Sequence, residues 1–192
     1  MTLEDESYSS VNLHAGTNLG RLATFKLVPD SSGRYCVEFK GVTSFDGRII
    51  HMSSLNVNTG RPASASPEAV ANLRNGAKTE GVLVAVTTTE ARIFRPATSK
   101  GAHKTFDNHA CESANVVRFQ DLGYVLAGLF GDGTVRAYTL PALKELNSVK
   151  VAHILDTRRF ADSIITPNGD IFGWTGPSQI ALISMWGTGQ LL

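Results

Sequence analysis

Three side chains within one short stretch, His103, His109 and Cys111, are of the types that bind metal. A structural zinc site draws four ligands, usually as two closely spaced pairs. The second pair is missing here, so these read as surface or turn residues. Asp132 invites a catalytic reading, but its place between two glycines makes it a turn residue. Gly101-Ala-His-Lys104 lacks the Gly-x-x-x-x-Gly-Lys-Ser/Thr order that cradles phosphate. No serine sits in a Gly-x-Ser-x-Gly elbow, so nothing points to a hydrolase. Glu4-Asp5-Glu6 reads as a solvated start, with a short acidic contact as the alternative. These residues assign no catalytic, metal or cofactor-binding role, and the chain reads as a non-enzyme.

The elements that would carry such residues are strands. In Gly128-Leu-Phe-Gly-Asp-Gly-Thr-Val-Arg-Ala-Tyr-Thr-Leu140, Asp132-Gly133 is a two-residue hairpin signal of type I′, which needs φ > 0 at both central positions. The strand before it, Tyr124–Phe130, is continuously apolar. The strand after it alternates, with Val135, Ala137 and Thr139 on one side and Thr134, Arg136 and Tyr138 on the other. Strand, Asp-Gly-Thr, strand, aromatic is how the middle of a WD-repeat blade reads, with Tyr138-Thr139 in the usual place of Trp-Asp.

Similar patterns predict strands at Val11–Gly16, Leu22–Val28, Tyr35–Phe39, Ile49–Leu55, Val82–Val86 and Ala91–Arg95. A short outer strand is expected at Lys104–Phe106. Further strands follow at Val116–Phe119, Val135–Leu140, Leu146–Val151, Ser163–Ile165, Ile171–Trp174 and Ile180–Met185. Turns fall at Asn18-Leu-Gly20, Pro29-Asp-Ser-Ser-Gly33, Asp46-Gly47, Pro141-Ala-Leu143, Pro167-Asn-Gly-Asp170 and Thr175-Gly-Pro-Ser178. Arg61–Thr79 differs: a small-residue loop, then one or two helical turns over Ala69–Arg74. It reads as an insertion between strands, or as a partner-binding loop.

The chain has 192 residues, 18 Lys+Arg against 17 Asp+Glu and a formal charge of +1, so charge suggests no nucleic-acid partner. Apolar runs such as Val82–Val86 are too short to span a bilayer. The acidic start is unlike a signal peptide, and the two cysteines, Cys36 and Cys111, read as reduced core residues of a cytosolic protein. With no lipidation motif at either end and no basic patch, any membrane recruitment is expected through protein partners.

Leu13–Phe25, Val82–Phe94, Tyr124–Tyr138 and Asp170–Ile183 each read as apolar strand, small polar turn, then a strand with a large apolar residue near its end. Phe94 to Tyr138 and Tyr138 to Leu182 are equal steps of 44 residues, within the range of propeller repeats of four strands per blade. The expectation is therefore an all-β fold of four WD-repeat-like blades, the first lacking an innermost strand and the last an outermost one. Four such units predict an open arc with unpaired edges, a piece or truncated product of a longer propeller protein. Trp174 and Trp186 read as core residues, with Trp186 the better candidate for a partner contact.

Gly81-Val-Leu-Val-Ala-Val-Thr-Thr-Thr-Glu-Ala-Arg-Ile-Phe-Arg-Pro96 followed by Gly101-Ala-His-Lys-Thr-Phe106 resembles the C-terminal region of fungal lethal giant larvae-like proteins, relatives of tomosyn. His14–Leu27, Phe172-Gly-Trp-Thr-Gly-Pro177 and Trp186-Gly-Thr-Gly189 resemble the same region. The resemblance covers nearly all of residues 1–192 and treats them as one propeller segment with an insertion at about 61–79. It implies about four late blades of the second of two joined seven-bladed propellers. It further implies a scaffold that binds plasma-membrane target SNAREs, with a secretory Rab GTPase and the exocyst as other partners. That scaffold would act in docking and fusion of secretory vesicles and in cell polarity. The implied location is cytoplasmic, held peripherally at the plasma membrane by partners without membrane insertion. The motifs are structural and leave the partner-binding residues unassigned. The residues alone also allow a WD-repeat adaptor in another pathway, or a non-functional fragment.

Overall fold

The computed structural model describes residues 2–3, 11–56, 81–94, 101–119 and 123–184. They form four antiparallel sheets that follow one another along the chain, each a meander in sequence order. Sheet A contains β1 (Thr2–Leu3), β2 (Val11–Gly16), β3 (Arg21–Pro29) and β4 (Tyr35–Ser44). Sheet B contains β5 (Ile49–Asn56), β6 (Gly81–Thr87), β7 (Glu90–Phe94) and β8 (Gly101–Thr105). Sheet C contains β9 (Cys111–Phe119), β10 (Gly123–Phe130), β11 (Thr134–Thr139) and β12 (Glu145–Lys150). Sheet D contains β13 (Ile164–Ile165), β14 (Asp170–Trp174) and β15 (Ile180–Ser184), preceded by a 3-10 segment, Thr157–Asp162. These are unclosed, propeller-like blades.

The sheets stack face to face through three apolar seams. Between A and B, Leu22 and Phe45 meet Leu83, Ala85 and Phe94. Between B and C, residues such as Val84, Val86 and Ile93 meet Leu126, Phe130 and Tyr138. Between C and D, residues such as Val125, Leu129 and Val135 meet Phe160, Ile165 and Ile171. This arrangement explains the strand patterns. β6 and the second half of β10 are continuously apolar because sheets B and C are covered on both faces. β12, the outermost strand of sheet C, is exposed throughout. On β11 the expected alternation holds: Val135 and Ala137 face sheet D, while Tyr138 faces sheet B.

The Asp132-Gly133 turn differs from the expected type I′. Gly133 takes φ +76°, but Asp132 does not have positive φ. The Gly133 N–H donates to the Phe130 carbonyl at 2.9 Å, so a four-residue turn ends on a left-handed glycine, the turn-plus-bulge form of hairpin. The same closure recurs where Gly20, Gly33 and Gly169 donate to Thr17, Asp30 and Thr166 at 3.2, 3.0 and 2.9 Å. At Gly133 a side chain is excluded twice over, since a Cβ would lie 2.3 Å from the Ala152 Cβ.

Other expectations shift for physical reasons. The first sheet does have an innermost strand: Thr2 and Leu3 pair with Asn12 and Val11, in a strand too short to show alternation. The last sheet has three strands among the described residues. β4 continues to Ser44 past a register shift between Thr24 and Phe25 of its partner strand. β9 begins at Cys111, five residues before the apolar run that suggested it. The 3-10 segment carries no strand or turn signature; Asp156 caps it by accepting from the Arg158 N–H, and Phe160 anchors it in the C–D seam.

Both cysteines are free, but Cys36 is exposed rather than in the core, because it lies on the outermost strand of sheet A. Leu182 breaks the expected equivalence with Phe94 and Tyr138. Those two aromatics face the preceding sheet, whereas Leu182 pairs with Phe172 on the opposite, exposed face. Ile183, one residue on, packs toward sheet C. A one-residue displacement reverses the face in a strand of period two. Glu4-Asp5-Glu6, the Arg61–Thr79 insertion with its helical turns, Pro96 and Trp186 lie outside the described residues.

Candidate functional site

Charged side chains gather at two places, each at the end of a central hairpin. In sheet B, β7 begins with Glu90, whose side chain is 5% exposed. It receives the Asp46 N–H at 3.0 Å and both Nε and Nη2 of Arg92 at 2.9 Å. His103 Nε2 lies 2.6 Å from the other carboxylate oxygen, brought there because Arg92 and His103 are directly opposite on β7 and β8. Burial pushes the Glu90 carboxyl up, but the Asp46 amide, Arg92 and His103 outweigh it and hold the group below the ordinary carboxylate value.

In sheet C, Asp132 accepts from the Thr134 N–H at 3.0 Å, the Thr134 hydroxyl at 2.6 Å and Arg136 Nη2 at 2.7 Å. His109 Nε2 is 4.0 Å away. Burial again raises and hydrogen bonds lower its carboxyl, with a net shift down. Arg92 and Arg136 occupy equivalent places, each two residues before the aromatic that pairs with Leu83 or Leu126. Each guanidinium also lies over a phenyl ring, Arg92 4.9 Å from Phe45 and Arg136 4.3 Å from Phe130. An acid, an arginine and a ring thus lock each hairpin end, an electrostatic and packing role.

The chemistry available is that of ion pairs. Carboxylates held ionised beside arginine neither store nor release a proton near neutral pH, as a general acid or base must. The metal-like trio is not assembled into a site: His103 pairs with Glu90, His109 faces Asp132, and Cys111 is buried with its Sγ directed to the Ser113 carbonyl at 3.5 Å. Burial raises the Cys111 thiol pKa, so it stays protonated. Among the described residues no group of three or more His, Cys, Asp or Glu could hold a metal ion. A cleft of about 320 Å³ is lined by Thr43, Arg92, Phe94, Gly101, Ala102 and His103. Its polar lining groups Arg92 and His103 are both turned to Glu90.

Three features were not visible in the sequence. His14 is buried beside the Thr24 hydroxyl, 3.1 Å from its Nδ1, and burial lowers its pKa to about 4. His51, opposite Val86, is likewise lowered to about 4 by burial. Their positions in alternating strands were a usable signal; the identity of the covering sheet was not. Trp174 is half-buried rather than core, with the Arg159 guanidinium 3.9 Å from its ring.

Comparison with known proteins places these blades. The family described as "Lethal giant larvae(Lgl) like, C-terminal" matches residues 1–191. The chain is similar to "Lethal(2) giant larvae protein homolog SRO77" of Saccharomyces cerevisiae, 29% identical over 194 aligned positions that cover 96% of this chain and 19% of the relative. It is also similar to "Uncharacterized protein C1F3.03" of Schizosaccharomyces pombe, 25% identical over 190 positions, covering 97% of this chain and 19% of that protein. The chain thus spans about a fifth of the length of these relatives.

Proposed function

The chain belongs to the lethal giant larvae-like C-terminal family, and from that membership we propose that it is a non-enzymatic scaffold of polarised exocytosis. In this reading it binds plasma-membrane target SNAREs and regulates the docking and fusion of secretory vesicles. A secretory Rab GTPase and the exocyst are further partners. The protein works in the cytoplasm and is held at the plasma membrane by those partners. The observation that carries the proposal is the family match across residues 1–191. The internal pairing of the Glu90 and Asp132 clusters supports a scaffold, because those charges stiffen hairpins. Among the described residues no helix is long and apolar enough to cross a membrane.

The test is a pull-down of the purified, folded chain with purified plasma-membrane target SNAREs, with an unrelated coiled coil as control. Selective retention of a target SNARE is the expected result. A folded chain that retains none, while a full-length relative does, would remove the SNARE contact from this region.

A further inference from the structure

The cleft between sheets A and B holds more donors than its own carboxylate uses. Along β7, Glu90, Arg92 and Phe94 share one side, the side on which Phe94 meets sheet A. On β8, His103 and Gly101 stand opposite Arg92 and Phe94 and so share that side. From sheet A, Thr43 is opposite Leu22, which faces sheet B, and brings a hydroxyl to the lining. Glu90 engages Nε and Nη2 of Arg92 and Nε2 of His103. Among the described residues nothing engages Arg92 Nη1, or His103 Nδ1, which donates when the ring is protonated. The Glu90 side chain is 5% exposed and that of His103 52%, so the cleft meets solvent through its donors. No acid is among its described lining residues.

The same residues border a free strand edge. β8 is the outermost strand of sheet B, and its outer edge pairs with no strand among the described residues. An extended segment laid along that edge would complete its hydrogen bonds. The segment's residue opposite His103 would point to the same side as His103, into the cleft, because directly opposed residues share a face. Charge decides what that residue is. Glu90 cancels Arg92, so the cluster carries one positive charge when His103 is protonated and none otherwise. A carboxylate matches that single charge, whereas a phosphate, at about −1.5 to −2 near neutral pH, exceeds it.

We propose that β8 and this cleft form a docking site for an extended acidic segment of a partner protein. The segment's backbone adds to the edge of β8, and its carboxylate accepts from Arg92 Nη1, His103 Nδ1–H and the Thr43 hydroxyl. The site is built from two sheets adjacent in the chain, and it does not depend on which protein carries the segment.

The test is a titration of the isotope-labelled, purified chain, followed by NMR, with a short blocked peptide of alternating threonine and valine carrying one central glutamate. Matched peptides carry glutamine or phosphoserine at the centre. The glutamate peptide should shift the amide signals of Gly101, Ala102 and His103 and bind at least about fivefold more tightly than the glutamine peptide. His103→Gln should abolish that preference while leaving the glutamine peptide's affinity unchanged, an outcome that a merely structural role for His103 would not produce. Arg92→Lys is a second variant: it keeps a cation for Glu90 but gives up the free Nη1, and it should also lose the preference. Folding of both variants is checked by circular dichroism. Equal binding of the glutamate and glutamine peptides to the wild type, or shifts that spare β8, would overturn the proposal. Tighter binding of the phosphoserine peptide would overturn the assignment to a carboxylate.

Discussion

The A–B and B–C seams join similar sheets by different means. The B–C seam is large and aromatic: Phe106 meets Phe130 edge-on at 5.0 Å and lies 6.0 Å from Tyr138. The A–B seam has a smaller apolar cluster. Around it sheet A buries Asn12, His14 and Thr24, and sheet B buries Ser54. On the strand register, the three sheet A residues share the side of Leu22 that meets sheet B. One seam is held mainly by area removed from water; the other depends also on groups that must keep their hydrogen bonds and charge states. Adjacent blades of one repeat can thus differ in what unfolds them.

The largest effect that sharpens this contrast is at Phe130. Phe130→Ala should cost about 3–5 kcal/mol in chemical denaturation, since the ring is fully buried and also carries the Arg136 contact. A cost below about 1 kcal/mol would mean that the B–C seam is not the area-driven junction described.

Glu90 comes next. Glu90→Gln removes the charge that faces Arg92 and His103 and disturbs the acceptor for the Asp46 N–H. We expect a loss of about 2 kcal/mol, discounted because Arg92 and His103 are partly exposed. A double-mutant cycle with Arg92→Met should recover part of it; strict additivity would show that the pair is not coupled.

Each side of the contrast carries one histidine that adds a pH dependence: His14 faces the A–B seam, and His51, opposite Val86, lies on the B–C side of sheet B. His14 and His51 have folded pKa values lowered from 6.5 to about 4, so between those pH values the unfolded chain binds protons that the folded chain refuses. Their contribution is complete above about pH 6.5 and is lost as pH falls toward 4, on the order of 1–3 kcal/mol per ring. Urea midpoints measured from pH 7.5 to 4.5 should fall, and His14→Asn should flatten the curve. A slope unchanged by that substitution would remove His14 as its source. Glu90 and Asp132 act lower: their stabilisation is present above the ordinary carboxylate pKa and is lost as pH falls through their depressed values.

The smallest effect concerns the C–D seam. Ser163 is buried and its hydroxyl has no hydrogen-bond partner among the described residues. Ser163→Ala should be neutral or stabilising by up to about 1 kcal/mol. A loss of stability in thermal melts would reveal a partner for that hydroxyl and make this seam more like A–B.

The sequence by itself determined the strands, the turn sites and the four-unit repeat, because these depend on local rules. Alternation reads out the two faces of a strand, and the glycines at 20, 33, 133 and 169 supply positive φ where a hairpin needs it. It also carried the family resemblance, since the blade-forming segments are where the likeness lies. Tertiary structure alone decided which faces are covered. Leu182 and Ile183 are both apolar neighbours on one strand, yet only Ile183 meets another sheet. Cys36 and Cys111 differ in burial because one lies on an outermost strand and the other begins an innermost one. Glu90 finds His103 across a hairpin, and the Asp46 amide from the end of sheet A. Such pairings depend on sheet register and stacking, which couple residues far apart in sequence and leave no periodic trace in it.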